Sequence, residues 1–205
     1  MIDKDINNQI INKFYLIKTL RLSGIEQMCI DAYLFNKIIK NNDKNIIFRF
    51  FEWDDNWVSI GKNQKIIPAE WMNLQKQKTI KLVKRPSGGG SVIHNNGITF
   101  SIIWNNPNLE RKSSYKKINE WLIKSFSELN IKLFTGEEKY ISIPTDCFSM
   151  RSKADLIDAK GLKRVGSAQL WRNGSLLNQT EILLDPSADL WEKVFQTDCP
   201  KLKTL

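Results

Sequence analysis

Cysteine is scarce in this chain of 205 residues. Its three cysteines, Cys29, Cys147 and Cys199, are widely spaced and odd in number, which argues against a disulfide framework and suits a reducing compartment. Disulfides are not needed for bulk stability, because a domain of this length buries about 70% of its unfolded surface. Histidine is scarcer still, with His94 alone. No apolar run approaches the roughly 20 residues of a membrane span, since Lys, Arg or Asn interrupts each one. The opening MIDKDINNQIINKFYLIKTL has neither the continuous apolar region nor the small-residue cleavage site of a secretory leader. The expectation is a cytoplasmic protein with no membrane partner. Internal repeats and low-complexity linkers are also missing, so residues 1–205 are read as one domain, ending in TDCPKLKTL as a short, loose tail.

What the chain has in excess is positive charge. The formal net charge is +9, concentrated in clusters such as KQKTIKLVKR and ERKSSYKK. Such clusters attract nucleic acid, acidic proteins or anionic small molecules, or are simply solvated, and charge alone does not choose among these.

Two segments carry helical periodicity. Over residues 25–39, Ile25, Met28, Cys29, Ala32, Phe35, Ile38 and Ile39 recur at three- and four-residue spacing, with Ser23 and Gly24 as a start. Over 114–129 the same spacing relates Tyr115, Ile118, Trp121, Leu122, Phe126 and Leu129. Elsewhere the pattern is β-like: NIIFRFFEW, WVSIG, TIKLVKR, ITFSIIW, YISI, DLIDAKG, KRVGSAQLW and EILL, separated by Gly, Asn, Asp and Pro. These runs come in groups rather than in strict alternation with helices. The fold class is therefore α+β, a mixed or antiparallel sheet with helices packed on it.

The stretch KRPSGGGSVIH, Lys84 to His94, invites a chemical reading. Three adjacent glycines permit positive φ and let a ligand approach backbone N–H groups. No Lys-Ser/Thr pair follows the last glycine, so this is not a Walker A loop, and the G-x-G-x-x-G spacing of dinucleotide sites is absent. Arg85 beside exposed amides suits a nucleotide or an acyl phosphate. His94 at the far edge serves either as a structural hydrogen-bonding residue or as a catalytic one.

KRPSGGGSVIHNNGITFSI resembles the R-R-x-S-G-G-G-A-V-x-H-D…G-N…F-S segment of the biotin/lipoate ligase and octanoyltransferase superfamily. WVSIGKNQ is similar to that family's strand ending in I-G-R-N-Q, and GLKRVGSAQ to its G-R-K-x-x-G-S-A, in the same order. The resemblance implies a catalytic domain like that of the class II aminoacyl-tRNA and biotin synthetases. It also implies that Lys163 points its ammonium into an acyl pocket, and that Arg85, Ser87, Gly88, Gly89, Gly90, Ser91, Val92, Ile93, His94, Gly166, Ser167 and Ala168 bind substrate. Lys160 and Arg164, neighbours of Lys163, read as solvent-facing charges.

In the octanoyltransferase branch a Cys-Phe pair just upstream of the lysine strand carries the nucleophile, whereas ATP-dependent ligases have Asn-Asp-Leu/Ile there. This chain has Cys147-Phe148 and then Ala154-Asp155-Leu156, which favours the transferase branch. The resemblance then implies an octanoyl, or lipoyl, group passing from an acyl-carrier-protein thioester through Cys147 to the lysine of a lipoyl domain. Acceptors would be the lipoyl domains of 2-oxoacid dehydrogenases or the glycine cleavage H protein. No cofactor or metal is required by this route, and nucleic acid is not expected as a partner.

Other features point elsewhere. The full GGG and the GKNQ ending are more ligase-like; there ATP and Mg²⁺ would be needed, with Arg85 and Gly90 to Ile93 on the nucleotide. Asn95 stands where the family has Asp, and LLNQTEILL departs from Q-H-G-S-I-L, which leaves open a non-catalytic homologue that only binds lipoyl domains or carrier proteins. For the acyl tail, Trp53, Trp57, Phe100, Ile102 and Trp104 are candidate tunnel walls and equally candidate sheet core.

Overall fold

The structure is a computed structural model, and it describes residues 13–41, 44–136 and 154–200. The predicted strand YISI and the nucleophile candidate Cys147 lie outside these residues, as does the end of the predicted tail.

Two sheets and four helices make up the described chain. The strands are β1 (Lys13–Leu22), β2 (Asn45–Trp53), β3 (Trp57–Ile60), β4 (Lys81–Lys84), β5 (Val92–His94), β6 (Gly97–Trp104), β7 (Phe134–Thr135), β8 (Leu156–Ile157), β9 (Lys163–Arg172) and β10 (Ser175–Leu183). The helices are α1 (Gly24–Asn41), α2 (Ala69–Lys76), α3 (Arg111–Glu128) and α4 (Ala188–Phe195). One sheet has seven strands in the order β1-β2-β6-β10-β9-β8-β7 and the other three in the order β4-β3-β5. Strands β1 and β2 run parallel, as do β3 and β4, and the remaining pairs are antiparallel. This is the mixed α+β arrangement expected from the sequence.

Because side chains alternate across a strand, the seven-stranded sheet presents two different faces. Phe48, Phe100, Ile102 and Leu176 point to one side and pack against Ile118 and Leu122 of α3. Ile103 and Leu177, one residue out of phase, point to the other and pack against Phe35 and Ile38 of α1. The α1 face also carries Arg49, Ser101 and Gln179, which are direct register partners across β2, β6 and β10. This polar row would be unfavourable if unpaired. Asp31 of α1 lies over it, accepting from Arg49, from Ser101 Oγ at 2.8 Å and from Gln179 Nε2 at 2.7 Å. Asp31 and Arg49 are 0% and 2% exposed. Burial pushes the Asp31 carboxyl up from its ordinary value, while Arg49, Ser101 and Gln179 pull it back.

Helix α1 begins where Ser23 and Gly24 suggest. Ser23 Oγ accepts from the Glu26 N–H and Glu26 Oε2 accepts from the Ser23 N–H, a reciprocal cap. Its buried stripe differs from the apolar one: Gln27 and Asp31 are buried, whereas Ile25 and Cys29 are exposed. On α3, Trp121 is similarly exposed and Ser114 and Asn119 are buried, and Leu129, just past its end, is exposed.

Helices α2 and α4 had no counterpart in the sequence reading. Each has eight residues, too short a window for a 3.6-residue period to stand out. They matter nonetheless, because Trp71 of α2 and Leu190, Trp191 and Val194 of α4 form, with Val58, Ile60, Ile80 and Ile93, the core beneath the three-stranded sheet. The Trp71 indole N–H donates to the Val194 carbonyl at 2.6 Å and locks the two helices together.

Removing one member of the Asp31–Arg49 pair strands the other in the interior. Asp31→Ala should lower unfolding free energy by about 3–5 kcal/mol, and the double variant Asp31→Leu/Arg49→Met should lose less than the weaker single variant. Urea denaturation followed by tryptophan fluorescence measures both; equal losses for single and double variants would contradict the assignment of the cost to an isolated buried charge.

Candidate active site

The first two sequence motifs fold as one unit. The Arg85 N–H donates to the Ile60 carbonyl and the Lys62 N–H to the Ser87 carbonyl, both at 2.9 Å. Ser91 Oγ donates to Gln64 Oε1 at 2.7 Å. At the crossing, a Cβ on Gly61 would lie 2.0 Å from the Gly89 carbonyl oxygen, so only glycine lets the two loops touch. Gly89 itself has φ +84°, a conformation that glycine adopts without strain.

Arg85 shapes this loop from within. Its Nη2 donates to the carbonyls of Gly88, at 2.6 Å, and Gly90, and its Nη1 to the carbonyl and hydroxyl of Ser59 at 2.9 and 3.2 Å. The guanidinium thus turns the loop carbonyls toward itself. Ser87 Oγ donates to Gln179 Oε1 at 2.6 Å, which ties the loop to the buried row around Asp31.

Between this loop and the α1 face of the large sheet lies a cavity of about 390 Å³, within the range of small-molecule sites. Its floor is a second register row across β2, β6, β10 and β9, formed by Phe51, Thr99, Glu181 and Gly166. Gly166 and Ala168 on β9 are small, so the row that begins with aromatic bulk leaves space at its far end. The third motif therefore faces the first two. Arg85, Gly89, Gly90, Ser91, Val92, His94, Lys163, Gly166, Ser167 and Ala168 all line the cavity. Ser87, Gly88 and Ile93 do not: Ser87 and Gly88 stand behind the loop as hydrogen-bonding partners, and Ile93 packs in the core beneath the small sheet.

Lys163 Nζ lies 2.8 Å from Asp155 Oδ1, and its side chain is 12% exposed. Both line the cavity, so a cation faces the glycine loop with its direction fixed by a carboxylate. Among the charged groups of the lining, Arg85 and Lys163 are matched by Asp155 and Glu181. Arg164, expected in solvent, is instead 3% exposed and paired with Asp158 at 3.3 Å. Strand β9 sends alternate side chains to opposite faces, so the neighbour of an inward lysine turns into the opposite layer. Lys160 is exposed.

His94 is buried, with Nδ1 2.8 Å from Glu181 Oε2 and Nε2 2.8 Å from Ser59 Oγ. Its ring stacks on Trp53 at 3.9 Å between centroids. Of the five aromatic and aliphatic tunnel candidates only Trp53 lines the cavity. Phe100, Ile102 and Trp104 belong to the α3-side core, and Trp57 is buried with its indole N–H donated to Asp54 Oδ1. The apolar walls come from Met28, Phe51 and Val92 as well.

Asp155, Glu181, Ser59 and Met28 were absent from the sequence-based site. Asp155 could have been found from its place in the motif Ala154-Asp155-Leu156; Glu181 had a signal in being an acidic residue inside LLNQTEILL. The Asn95 departure has a structural reason. Its Nδ2 donates to Asn56 Oδ1 at 2.7 Å and its Oδ1 accepts from the Ser187 N–H at 3.0 Å. A carboxylate could accept but not donate there.

Residues 23–204 match the family described as Lipoyl protein ligase A/B catalytic domain. The chain is similar to octanoyltransferase LipM of Clostridioides difficile, 29% identical over 201 residues, covering 94% of this chain and 73% of that protein. It is 31% identical over 172 residues to octanoyltransferase LipM of Carboxydothermus hydrogenoformans, covering 82% of this chain and 63% of that one. Among solved structures, a lipoate-protein ligase A bound with ATP superposes with a TM-score of 0.69 at 25% identity, over 89% of this chain and 71% of that one. A putative lipoate protein ligase from T. acidophilum with bound lipoic acid, at 22% identity, shares the fold with a TM-score of 0.71 over 94% and 76% of the two chains.

The contact of the two loops gives a paired expectation. Gly61→Ala should cost about 1–3 kcal/mol, since backbone must move to admit the methyl group. Gly88→Ala, where an added Cβ meets nothing within 4 Å, should stay within about 0.5 kcal/mol of the parent. Thermal unfolding of both proteins checks the pair, and equal stabilities would show that the loops do not touch at Gly61.

Proposed function

The chain belongs to the lipoyl protein ligase A/B catalytic domain family, and from that premise we propose that it is a cytoplasmic octanoyltransferase of protein lipoylation. In this reading it moves an octanoyl group from an acyl-carrier-protein thioester to the lysine of a lipoyl domain, in a 2-oxoacid dehydrogenase or the glycine cleavage H protein. The observation that carries the reading is the convergence of three sequence motifs on one small, partly apolar cavity with Lys163 inside it, in a chain similar to octanoyltransferases along most of its length.

Cys147 is the proposed nucleophile. The described chain leaves strand β7 at Gly136 and resumes at Ala154, and the Gly136 N–H donates to the carbonyl of the next residue, Asp155, at 3.0 Å. Asp155 lines the cavity, so the described residues on either side of the stretch that contains Cys147 are bonded to each other at the cavity wall. The thiolate attacks the donor carbonyl, a new S–C bond forms, and the donor C–S bond breaks with release of the carrier thiolate. The acceptor amine then attacks the acyl-enzyme, forming the amide and returning the cysteine. Lys163, aimed by Asp155, and the amides of the glycine loop face the oxyanion of both steps. Their direction is fixed before reaction, which is what makes such groups effective.

The alternative, an ATP-dependent ligase passing through lipoyl-adenylate, draws on the likeness to the ATP-bound ligase structure. The charge balance of the lining argues against it. Two cations face two carboxylates, Arg85 is bonded to loop carbonyls, and Lys163 is paired with Asp155. Among the described residues the lining offers a triphosphate no surplus positive charge, whereas an acyl thioester is neutral.

With octanoyl-carrier protein and an apo lipoyl domain, Cys147→Ser should reduce turnover at least about a hundredfold, because a serine hydroxyl there lacks the thiolate's nucleophilicity. Lys163→Met should reduce kcat by about 10²–10³ while an acyl increment still maps to Cys147. Unchanged turnover in Cys147→Ser would remove the covalent route. Product formed only with ATP and free acid would establish the ligase instead, and neither product nor acyl-enzyme would leave a binding homologue.

A further inference from the structure

The segment LLNQTEILL, where the chain departs from the family pattern, places a carboxylate beside the single histidine. Glu181 Oε2 lies 2.8 Å from His94 Nδ1, and His94 Nε2 lies 2.8 Å from Ser59 Oγ. Serine, imidazole and carboxylate thus stand in one hydrogen-bonded line, at distances at which a serine nucleophile is activated. All three residues line the cavity. We propose that Ser59, His94 and Glu181 form a second acyl-accepting centre, independent of Cys147, that hydrolyses acyl thioesters.

The line has a defined polarity. An ionised Glu181 only accepts hydrogen bonds, so the proton of a neutral imidazole sits on Nδ1 and leaves Nε2 to accept from the Ser59 hydroxyl. Glu181 Oε2 accepts also from Thr99 Oγ1, and Thr99 in turn accepts from the Trp53 indole N–H at 2.7 Å. The carboxylate fits because residue 97 is glycine: a Cβ there would lie 2.1 Å from Glu181 Oε1. Trp53 stacks on the imidazole and holds its plane. Arg85 Nη1 is 3.2 Å from Ser59 Oγ, a fixed positive charge beside the oxygen that would carry the developing bond.

The reaction balances within these groups and water. Ser59 Oγ attacks the thioester carbonyl and its proton passes to His94 Nε2. The Oγ–C bond forms, the C–S bond breaks, and the leaving thiolate takes the proton from Nε2. Water then attacks the acyl ester, giving its proton to Nε2; the carboxylic acid departs and Ser59 recovers its proton. The acyl length, octanoyl, is taken from the reading of the preceding subsection; the relay itself does not depend on it.

A bridge that merely stitches two sheets together would show the same distances, and covalent labelling separates the two roles. The Cys147→Ala protein, treated with an alkyl fluorophosphonate, should gain one phosphonyl increment by intact mass, mapped to the peptide containing Ser59. It should also release thiol from octanoyl-pantetheine without any acceptor domain. Adding Ser59→Ala should abolish both signals. Glu181→Gln, close in shape but unable to hold the imidazole proton as a carboxylate does, should slow labelling at least about tenfold. Absence of label on Ser59 in folded Cys147→Ala protein would overturn the proposal, and this arm requires no change to the relay. Labelling of Glu181→Gln at the parental rate would overturn it as well. A label or acyl group on Cys147 in the unsubstituted protein bears on the transferase reading alone, so the two can fail separately.

Discussion

Asp31 is a carboxylate with no access to solvent, and the surrounding structure is arranged to make that tolerable. Three consecutive strands of the large sheet each contribute one polar side chain in direct register, Arg49, Ser101 and Gln179, and all three hydrogen-bond to it. A shift of β2 or β6 by one residue would turn its polar member to the α3 side and bring Phe48, Phe50, Phe100 or Ile102 under the charge, and a shift of β10 would replace Gln179, the donor to Asp31, with Asn178 or Thr180. The pair therefore specifies register, a role for which buried ions are well suited even where they add little net stability. Helix α1 is set by the same contact, because Gln27, one turn earlier, donates from Nε2 to the carbonyls of Leu20 and Glu52.

The consequence reaches the cavity through one side chain. Gln179 uses its amide N–H on Asp31 and its amide oxygen on the Ser87 hydroxyl, so the glycine loop is registered to the interior of the sheet. Arg85 fixes the loop from the other side by drawing in the carbonyls of Gly88 and Gly90. A glycine-rich arc would ordinarily be the most mobile part of a site. Here it is held at Ser87, at Gly88 and Gly90, and at its contact with Gly61, so its conformation is a property of the fold.

This accounts for what could and could not be read from the sequence. The mixed sheet, helices α1 and α3 and the three motifs were legible because each is either a long periodic pattern or a run of unusual residues at fixed spacing. Helices α2 and α4 were not, since two turns carry too few residues to show a period. Strand β1 was missed for a different reason: it is an edge strand exposed along most of its length, so burial imposes no alternation on it. The buried polar groups were the deepest gap. Periodicity sorts residues by hydrophobicity, so Gln27 and Asp31 on the inner stripe of α1 did not enter the periodic set, and Arg164 read as a surface charge. A usable signal existed in Arg49, a lone cation inside the apolar run NIIFRFF, which implies a buried partner on whatever packs over that strand.

The same reasoning explains how a basic protein comes to have a cavity with balanced charge. The surplus of lysine and arginine is a property of the chain as a whole, while each cation in the lining among the described residues is already engaged: Arg85 by carbonyls, Lys163 by Asp155. Free cations in a small apolar cavity would bind the first available anion and would have to be stripped of water or counterion at every turnover. Engaged cations hold still and present partial positive potential without inviting ions in. Net charge then acts at long range, where it would speed encounter with an acidic molecule, and the balanced lining acts at short range, where the proposed reaction would change the charge on a carbonyl. Separating these two tasks lets the surface be strongly basic without making the cavity an anion site.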